Sequence, residues 1–245
     1  KEAETNQRKL FDRVYEGTDG NVTFNLDATA GRRAGYHYFT EYGNIFLENR
    51  YTDWGNYYPY QTLRNLWMLS KYVPAEKLQI EFLNKWRNPD KYPENDELAP
   101  HNLPFGYVTA ISLMAQPLAW LESSNLPEEA FAVGKILKKY AQIQHDIHLG
   151  QIFPIGDEPD GYSWTGFQSL HENRGYLLIF REKNDNNQQM IPTWLEKDQN
   201  VMLTPVIGEG NPGLQKVTDT GKLKFRLPEK NSFCLYRYEV QNKND

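Results

Sequence analysis

Hydrophobic residues recur at helical spacing in several stretches of the first 150 residues. Near the start of the chain, Leu10, Phe11, Val14 and Tyr15 predict a helix that ends at Gly17, because glycine commonly follows a helix. The same spacing, with a proline at or just before the first turn, predicts further helices over residues 60–72 and 127–143.

Apolar and polar residues alternate instead over residues 21–26 and 44–51, and a period of two predicts strands. A short helical stretch over residues 36–42 separates these strands, and the helix over residues 60–72 follows the second one. Helices and strands therefore alternate through the first 75 residues. This order favours βα units arranged around a parallel sheet.

The centre of the chain is less regular. Residues 88–104 hold four prolines and many polar residues, which predicts a long loop, and loops of this length within compact domains are often functional. Because Pro117 interrupts the apolar stretch that follows, we expect a helix over residues 105–116 and a short strand over residues 118–121. In the helix over residues 127–143, we expect four side chains to face inward: Phe131, Ile136, Leu137 and Tyr140.

Helical periodicity disappears beyond Gly150. Six short runs separated by Asn, Asp, Gly and Pro predict antiparallel strands, over residues 162–168, 175–182, 189–195, 201–206, 222–227 and 233–240. We therefore predict two domains with a boundary near Pro159: an α/β domain over residues 1–158 and an antiparallel β-domain over residues 159–245.

Composition excludes some classes of partner. The 27 basic and 32 acidic residues are interspersed and give a net charge of −5, so we expect no nucleic-acid partner. No apolar run approaches the roughly 20 residues that cross a bilayer, so we expect no membrane insertion, while export of a longer precursor stays open. The single Cys234 forbids an internal disulfide and is most simply a buried small apolar residue.

Two motifs carry the candidate chemistry. Asp27-Ala-Thr-Ala-Gly-Arg-Arg33 ends the first predicted strand, and Tyr51-Thr-Asp-Trp54 ends the second. In a barrel of parallel strands, the residues that follow neighbouring strands meet at one mouth, where active sites are built. A carboxylate with a Gly/Arg loop beside a second carboxylate flanked by aromatic residues is the layout of a sugar-cleaving site.

These motifs, together with Ala115-Gln-Pro-Leu118 and Gly150-Gln-Ile-Phe-Pro154, resemble in order the α-galactosidases of glycoside hydrolase families 36 and 27. The resemblance runs over nearly the whole chain from about residue 10. It implies the second half of a catalytic (β/α)8 TIM-type barrel followed by a C-terminal antiparallel β-sandwich domain. It also implies a carbohydrate substrate, retaining hydrolysis of terminal α-galactosides, and no cofactor or metal.

The resemblance implies a role for each matching residue. Asp53 corresponds to the general acid/base, and Asp27, Gly31 and Arg33 occupy positions that contact the sugar ring. Trp54 would shape the leaving-group side. The flanking aromatic residues would partly desolvate Asp53, which raises the pKa of a carboxyl toward the range of an acid catalyst. The alternative is that Asp53 only caps the helix that follows.

Two departures from the family pattern change the expectation. The family's nucleophile lies at the end of the fourth barrel strand, before the first helix of this chain, so the nucleophile and the N-terminal half of the barrel must come from a longer chain or from another chain. In addition, Asp27 stands where the family has Cys. It can contact a sugar hydroxyl, form a structural ion pair with Arg32 or Arg33, or compete with Asp53 for the catalytic role. This change leaves the identity of the α-linked sugar open, and a non-catalytic carbohydrate-binding protein on the same scaffold is the rival interpretation.

Two further groups of residues have alternative explanations. Trp54, Tyr57, Tyr58 and Tyr60 lie close together in the sequence and suit either a sugar platform or packing beneath a loop, since tyrosine and tryptophan combine an apolar face with a polar edge. His145 and His148 are spaced like metal ligands, but a histidine near a helix C-terminus also suits the helix dipole.

Overall fold

The computed structural model describes residues 2–27, 40–48, 58–81, 85–86, 89–118 and 126–241. The first half of the chain contains four α-helices and four strands in these ranges: α1 (Glu2–Gly17), β1 (Phe24–Asp27), β2 (Gly43–Glu48), α2 (Pro59–Leu69), β3 (Leu78–Glu81), α3 (Phe105–Ala110), β4 (Gln116–Leu118) and α4 (Glu128–Leu149). Three short 3-10 helices, Ala75–Lys77, Pro89–Lys91 and Pro100–Asn102, lie in the connections. The second half contains strands: β5 (Gln151–Gly156), β6 (Trp164–His171), β7 (Arg174–Arg181), β8 (Gln188–Pro192), β9 (Asn200–Gly208), β10 (Gly213–Lys216), β11 (Lys222–Arg226) and β12 (Ser232–Gln241).

The first four strands form a parallel sheet in which the spatial order, β1-β2-β3-β4, follows the order of the chain. Leu26 of β1 lies opposite Ile45 of β2, and Ile45 lies opposite Leu78 of β3. The predicted alternation of helices and strands around a parallel sheet is thus confirmed for the described residues. The predicted helical stretch over residues 36–42 lies mostly outside them.

Two predictions about this half were wrong in detail. The helix predicted over residues 105–116 ends at Ala110, and Pro117 lies inside β4 because that strand occupies an edge of the described sheet, where a missing N–H is tolerated. In α4, Tyr140 is buried, and Ile136 and Leu137 pack against the core, but Phe131 is 69% exposed. Strand β3 was not predicted.

The remaining strands form antiparallel sheets. Six of them make one sheet in the order β10-β9-β12-β7-β6-β5, and β11 pairs with β8 in a second sheet. All six strands predicted after residue 160 are present, with bounds shifted by a few residues, whereas β5 and β10 were not predicted.

Both faces of the six-stranded sheet are buried along its strands β6 and β7. Along β7, Tyr176, Leu178 and Phe180 point toward the helices, and the intervening Leu177 and Ile179 point toward the two-stranded sheet. This period of two follows from the pleat of a strand. The helical half and the antiparallel half therefore share one hydrophobic core.

Direct hydrogen bonds also join the two halves. The Trp67 indole N–H donates to the carbonyl of Ile155 at 3.1 Å, and the Ser169 hydroxyl donates to the carbonyl of Ile147 at 2.6 Å. Strand β5 pairs with β6 along its whole length, although it precedes the domain boundary predicted near Pro159. The boundary itself stays a prediction.

A small apolar cluster lies between α1 and the first two strands. It contains Phe11, Leu26 and Tyr42, and Arg8 of α1 forms an ion pair of 2.5 Å with Glu41. Cys234 is buried and free, as predicted. None of the described helices combines the length and the apolar character that a membrane span requires.

Candidate active site

The carboxyl ends of the parallel strands lie along one edge of the sheet, here called the carboxyl edge. Asp27, the last residue of β1, pairs with Phe46 near the end of β2, and Glu81 at the end of β3 pairs with Leu118 at the end of β4. The chain therefore leaves all four strands on the same side. The prediction that the strands before the two motifs are parallel neighbours is confirmed.

Most of the predicted site residues lie outside the part of the chain that the structure describes. Asp27 has a described backbone position at the end of β1, but its side chain lies outside the described part. Gly31 and Arg33, which follow β1, and Asp53 and Trp54, which follow β2, lie outside the described residues. The strands that precede these four residues lie side by side, and the assignment of their roles stays a prediction.

Helix α2 places its first turn at the carboxyl edge. It begins directly after the connection from β2, and its last residue, Leu69, precedes β3, so its N-terminus lies beside the ends of the strands. Pro59 occupies the first helical position, where its fixed φ favours the helix and its missing N–H costs nothing. Tyr58 is the residue that precedes the helix, with an extended backbone.

An aromatic cluster, made of Tyr58, Tyr60, Tyr92 and His101, lies at this edge, and its Tyr58 contacts Asp96. The ring of Tyr58 lies 5.7 Å from that of Tyr60 and 5.5 Å from that of Tyr92, centroid to centroid, and Tyr92 lies 6.0 Å from His101. These separations are those of interacting aromatic pairs. The cluster joins the start of α2 to the proline-rich connection between β3 and α3.

Asp96 organises this cluster through hydrogen bonds. Its Oδ2 accepts from the Tyr58 hydroxyl at 2.5 Å, its Oδ1 accepts from the backbone N–H of Leu98 at 3.0 Å, and its carbonyl accepts from the Asn102 side chain at 2.9 Å. The hydrogen bond to Asp96 raises the pKa of Tyr58 to about 12, with burial as the next cause. The Tyr58 hydroxyl therefore remains a proton donor at neutral pH.

A buried lysine fixes the start of α4 to the same connection. Lys85, which is 5% exposed, donates from Nζ to Glu129 Oε1 at 3.0 Å and to the carbonyl of Leu103 at 2.5 Å. Glu129 Oε1 also accepts from the backbone N–H of Phe105 at 2.9 Å. One carboxylate thus binds both the lysine and the start of α3. Because this carboxylate lies in the first turn of α4, its negative charge also interacts favourably with the dipole of α4.

The histidine pair lies at the opposite edge of the sheet. His148, in the last turn of α4, places Nε2 3.1 Å from the carbonyl of Ala115, just before β4 begins, and burial lowers the pKa of His148. Among the residues that the structure describes, no group of three or more His, Cys, Asp or Glu side chains is arranged to hold a metal ion.

Sequence reasoning placed Tyr58 and Tyr60 in a possible platform but missed Tyr92 and Asp96. The one signal in the sequence is the long, proline-rich loop predicted over residues 88–104. The partner of Tyr58 is 38 residues away, and no local periodicity marks it.

Comparison with known proteins gives the class of fold. No protein-family profile matches the sequence, and no curated protein sequence matches it either. Solved structures do match, and glycoside hydrolases are among them. The chain thus has a glycoside hydrolase fold, with a parallel sheet followed by antiparallel sheets.

Two α-galactosidases and an α-amylase are among the matching structures. The α-galactosidase AgaA of family 36 from Geobacillus stearothermophilus, in complex with raffinose, superposes on 95% of this chain with a TM-score of 0.67 at 11% identity. The α-galactosidase AgaB from the same organism gives 0.63 at 12% identity, again over 95% of this chain. An Anoxybacillus α-amylase gives 0.54 at 12% identity over 96%.

The matches are unequal in length. This chain spans 30% of the length of each of the two α-galactosidases and 56% of the α-amylase. At 11–12% identity the likeness concerns the fold alone.

Proposed function

We propose that this chain is the C-terminal half of a (β/α)8-barrel glycoside hydrolase with its trailing β-sandwich domain, and that the whole enzyme hydrolyses terminal α-galactosides with retention. One observation carries the proposal: β1 and β2 are parallel neighbours in register, with Asp27 opposite Phe46. Neighbouring strands are separated by about 5 Å. The two motifs therefore leave adjacent strands at the edge where barrel enzymes build their sites.

Each predicted residue takes a role in this proposal. Asp53 is the general acid/base, Arg33 and Asp27 bind sugar hydroxyls, Gly31 lets the backbone approach the ring, and Trp54 shapes the leaving-group side. The aromatic cluster lies at the same edge and offers ring faces and hydroxyls, which suit a sugar that has an apolar and a polar side. No cofactor is needed.

The rest of the barrel comes from outside this sequence, in a longer chain or a second one. β1 and β4 each have one edge that pairs with no other strand among the described residues, and open edges of this kind favour pairing with further strands. The length ratio to the two α-galactosidases agrees with a missing part. The nucleophile would belong to that part.

In this proposal, hydrolysis proceeds in two steps. In the first, the upstream carboxylate attacks the anomeric carbon while Asp53 donates its proton to the glycosidic oxygen, so the C–O bond breaks and the alcohol leaves. In the second, Asp53, now a carboxylate, takes a proton from water as the water oxygen displaces the enzyme carboxylate. The product keeps its anomeric configuration.

Another α-linked sugar is the second candidate. Asp27 replaces the Cys of the resembled family at a position that contacts the ring, and an α-amylase shares the fold with a TM-score of 0.54. An α-glucoside is therefore the first alternative substrate to test.

The test uses the protein extended upstream through the remaining barrel strands, with this chain alone as a comparison. Hydrolysis of aryl α-galactosides and aryl α-glucosides is followed by NMR, which reports the anomer formed first. We expect activity only in the extended protein, with retention. Asp53→Asn should slow the hydrolysis of substrates with poor leaving groups far more than that of activated aryl glycosides. The leaving group of an activated aryl glycoside departs without being protonated. Asp90→Asn, at an exposed carboxylate of the connection after β3, is the matched control.

Each result is decisive. Equal losses on both kinds of substrate would contradict the role of Asp53, and azide, which attacks without a general base, should accelerate the Asp53→Asn variant on activated substrates. A well-folded extended protein that is silent on every glycoside but still binds them would favour the non-catalytic carbohydrate-binding alternative.

A further inference from the structure

A buried carboxylate in the antiparallel half fixes one loop. Glu182, directly after β7, is fully buried, and its Oε2 accepts backbone N–H bonds from Asp160 at 3.1 Å, Gly161 at 2.9 Å and Ser163 at 2.9 Å. Three donors on one oxygen hold the connection over residues 157–163, between β5 and β6, in a single conformation. A buried carboxylate is stable in a protein only with such partners.

This connection lies against the loop that carries Asp96. The Cα of Gly161 is so close to Leu98 and Tyr60 that a Cβ there would lie 2.8 Å from Leu98 Cδ1 and 3.5 Å from Tyr60 Cδ1. Gly161 also has a φ of +94°, which other residues rarely adopt. Next to this contact, Lys183 forms an ion pair with Glu97. Both halves of the chain therefore meet at these residues.

The contacts continue from there to the aromatic cluster. Leu98 donates its N–H to Asp96 Oδ1 at 3.0 Å, and the other oxygen of Asp96 accepts from Tyr58 at 2.5 Å. Glu182, Gly161, Leu98, Asp96 and Tyr58 thus form one unbroken series of contacts. It begins in the antiparallel sheets and ends beside the carboxyl edge of the parallel sheet.

We infer that Glu182 is a positioning residue through which the antiparallel sheets set the orientation of Tyr58, and so the affinity of the site for the leaving-group side of a glycoside. The inference rests on the proposed function and adds to it a role for the β-domain. A glutamate at this position can act in this way, because its carboxylate accepts hydrogen bonds from three amides of residues 157–163, and these residues contact the loop that carries Asp96.

The titratable groups that face Glu182 are few. Among the described residues, Asp160 of the same connection and the buried Tyr107 of α3 interact with it. Burial raises the pKa of Glu182 to about 7, while the three amide donors and the charge on Asp160 act in opposite directions. The carboxylate therefore changes its charge near neutral pH, which gives a pH-dependent readout.

The first test is hydrogen exchange in the extended protein, and it needs no activity. Glu182→Ala removes three acceptor contacts, whereas Glu182→Gln keeps an oxygen in place. We expect Glu182→Ala to speed exchange at least about tenfold over residues 157–163 and several-fold over residues 92–102, with Glu182→Gln near the wild type. Asp185→Asn, at an exposed carboxylate paired with Lys230, should leave residues 92–102 unchanged. Faster exchange confined to residues 157–163 would overturn the inference.

The second test separates KM from kcat. In Glu182→Ala, KM for an oligosaccharide should rise several-fold, while kcat for an activated aryl glycoside stays near the wild-type value. In Glu182→Gln, KM should return to the wild-type value and should no longer change between pH 6 and pH 8. An unchanged KM in an active Glu182→Ala enzyme would overturn the inference. A wild-type protein inactive on every glycoside would overturn the proposed function instead, and the exchange experiment alone would then decide whether the two loops are coupled.

Discussion

Tyr58 and Asp96 are joined by a hydrogen bond of 2.5 Å from the tyrosine hydroxyl to the carboxylate Oδ2. Tyr58 precedes α2, and Asp96 lies in the connection between β3 and α3, so the bond ties together the polypeptide that follows two neighbouring strands. Each connection alone is irregular. Their mutual contact gives this part of the carboxyl edge a defined shape.

Tyr58→Phe should loosen this contact. The variant keeps the ring that packs on Tyr60 and Tyr92 but loses a hydrogen bond to a carboxylate, which contributes about 1.5–3 kcal/mol. We expect local opening of residues 92–102 to become roughly 10- to 100-fold more frequent, measured by hydrogen exchange of the extended protein. Tyr60→Phe, which removes a hydroxyl from the neighbouring ring, is the control, and equal effects of both variants would contradict the role of Asp96.

Glu129→Ala should destabilise the start of α4. It leaves the buried ammonium of Lys85 without its carboxylate, beside the Leu103 carbonyl and the Trp86 ring, and it removes the acceptor of the Phe105 N–H. Because the Glu129 side chain is 44% exposed, we expect a loss of about 2 kcal/mol, less than for a fully buried pair. The measurement is the thermal midpoint of the extended protein compared with Glu128→Ala, the exposed residue just before it. No difference between the two variants would refute the assignment.

Glu182 should make stability depend on pH with a definite sign. Burial raises the pKa of Glu182 to about 7, above its value of about 4.3 in an unfolded chain, so the folded state holds the proton more tightly. The contribution of the protonated Glu182 to the free energy of unfolding is complete below about pH 4 and is lost as pH rises toward 7. Relative to the wild type, the free energy of unfolding of Glu182→Gln should therefore increase by up to about 3 kcal/mol between pH 4 and pH 8.

This gain is measured as the difference between the two unfolding curves at each pH, so that the titration of other carboxylates cancels. A difference that stays constant across this range would mean that the pKa of Glu182 is not raised in the folded protein.

Cys234 should resist thiol reagents until the protein unfolds. It is fully buried, and burial raises the pKa of its thiol to about 12, so almost no thiolate is present at pH 8. Iodoacetamide should modify Cys234 no faster than the β-sheet opens, and at the full rate of a free thiol in denaturant. Mass spectrometry of the peptide that contains Cys234 follows the reaction. Rapid modification under native conditions would contradict the burial.

Sequence patterns predicted those elements whose periodicity is long enough to be read. The strand over residues 174–181 contains an unbroken run of five large apolar residues, Tyr176–Phe180, and α4 presents its apolar stripe over several turns. By contrast, β3 has four residues, too few to show a period, and β5 contains Pro154, which counts against a strand. The partial exposure of α1, with Leu10 57% exposed, could not be deduced from its spacing.

The candidate site was predictable only in its topology. Two polar motifs after successive parallel strands must approach the same edge, and the pairing of β1 with β2 confirms that premise. Asp96 and Glu182 could not be found in this way, because their importance comes from contacts with residues 38 and about 20 positions away. A sequence shows which side chains carry chemistry, but only the fold shows which of them meet.

Gly150 is the single residue between α4 and β5, and this junction bears on how such a protein can be inherited. Strand β5 makes six register pairs with β6, from Gln151 with Leu170 to Gly156 with Thr165. Recombination between genes at a point near residue 159 would place β5 and β6 in different parental sequences, so all six pairs would then join strands of different origin. An exchange that keeps these pairs within one parental sequence must cut before β5 begins, so β5 and the other antiparallel strands are expected to pass between lineages together.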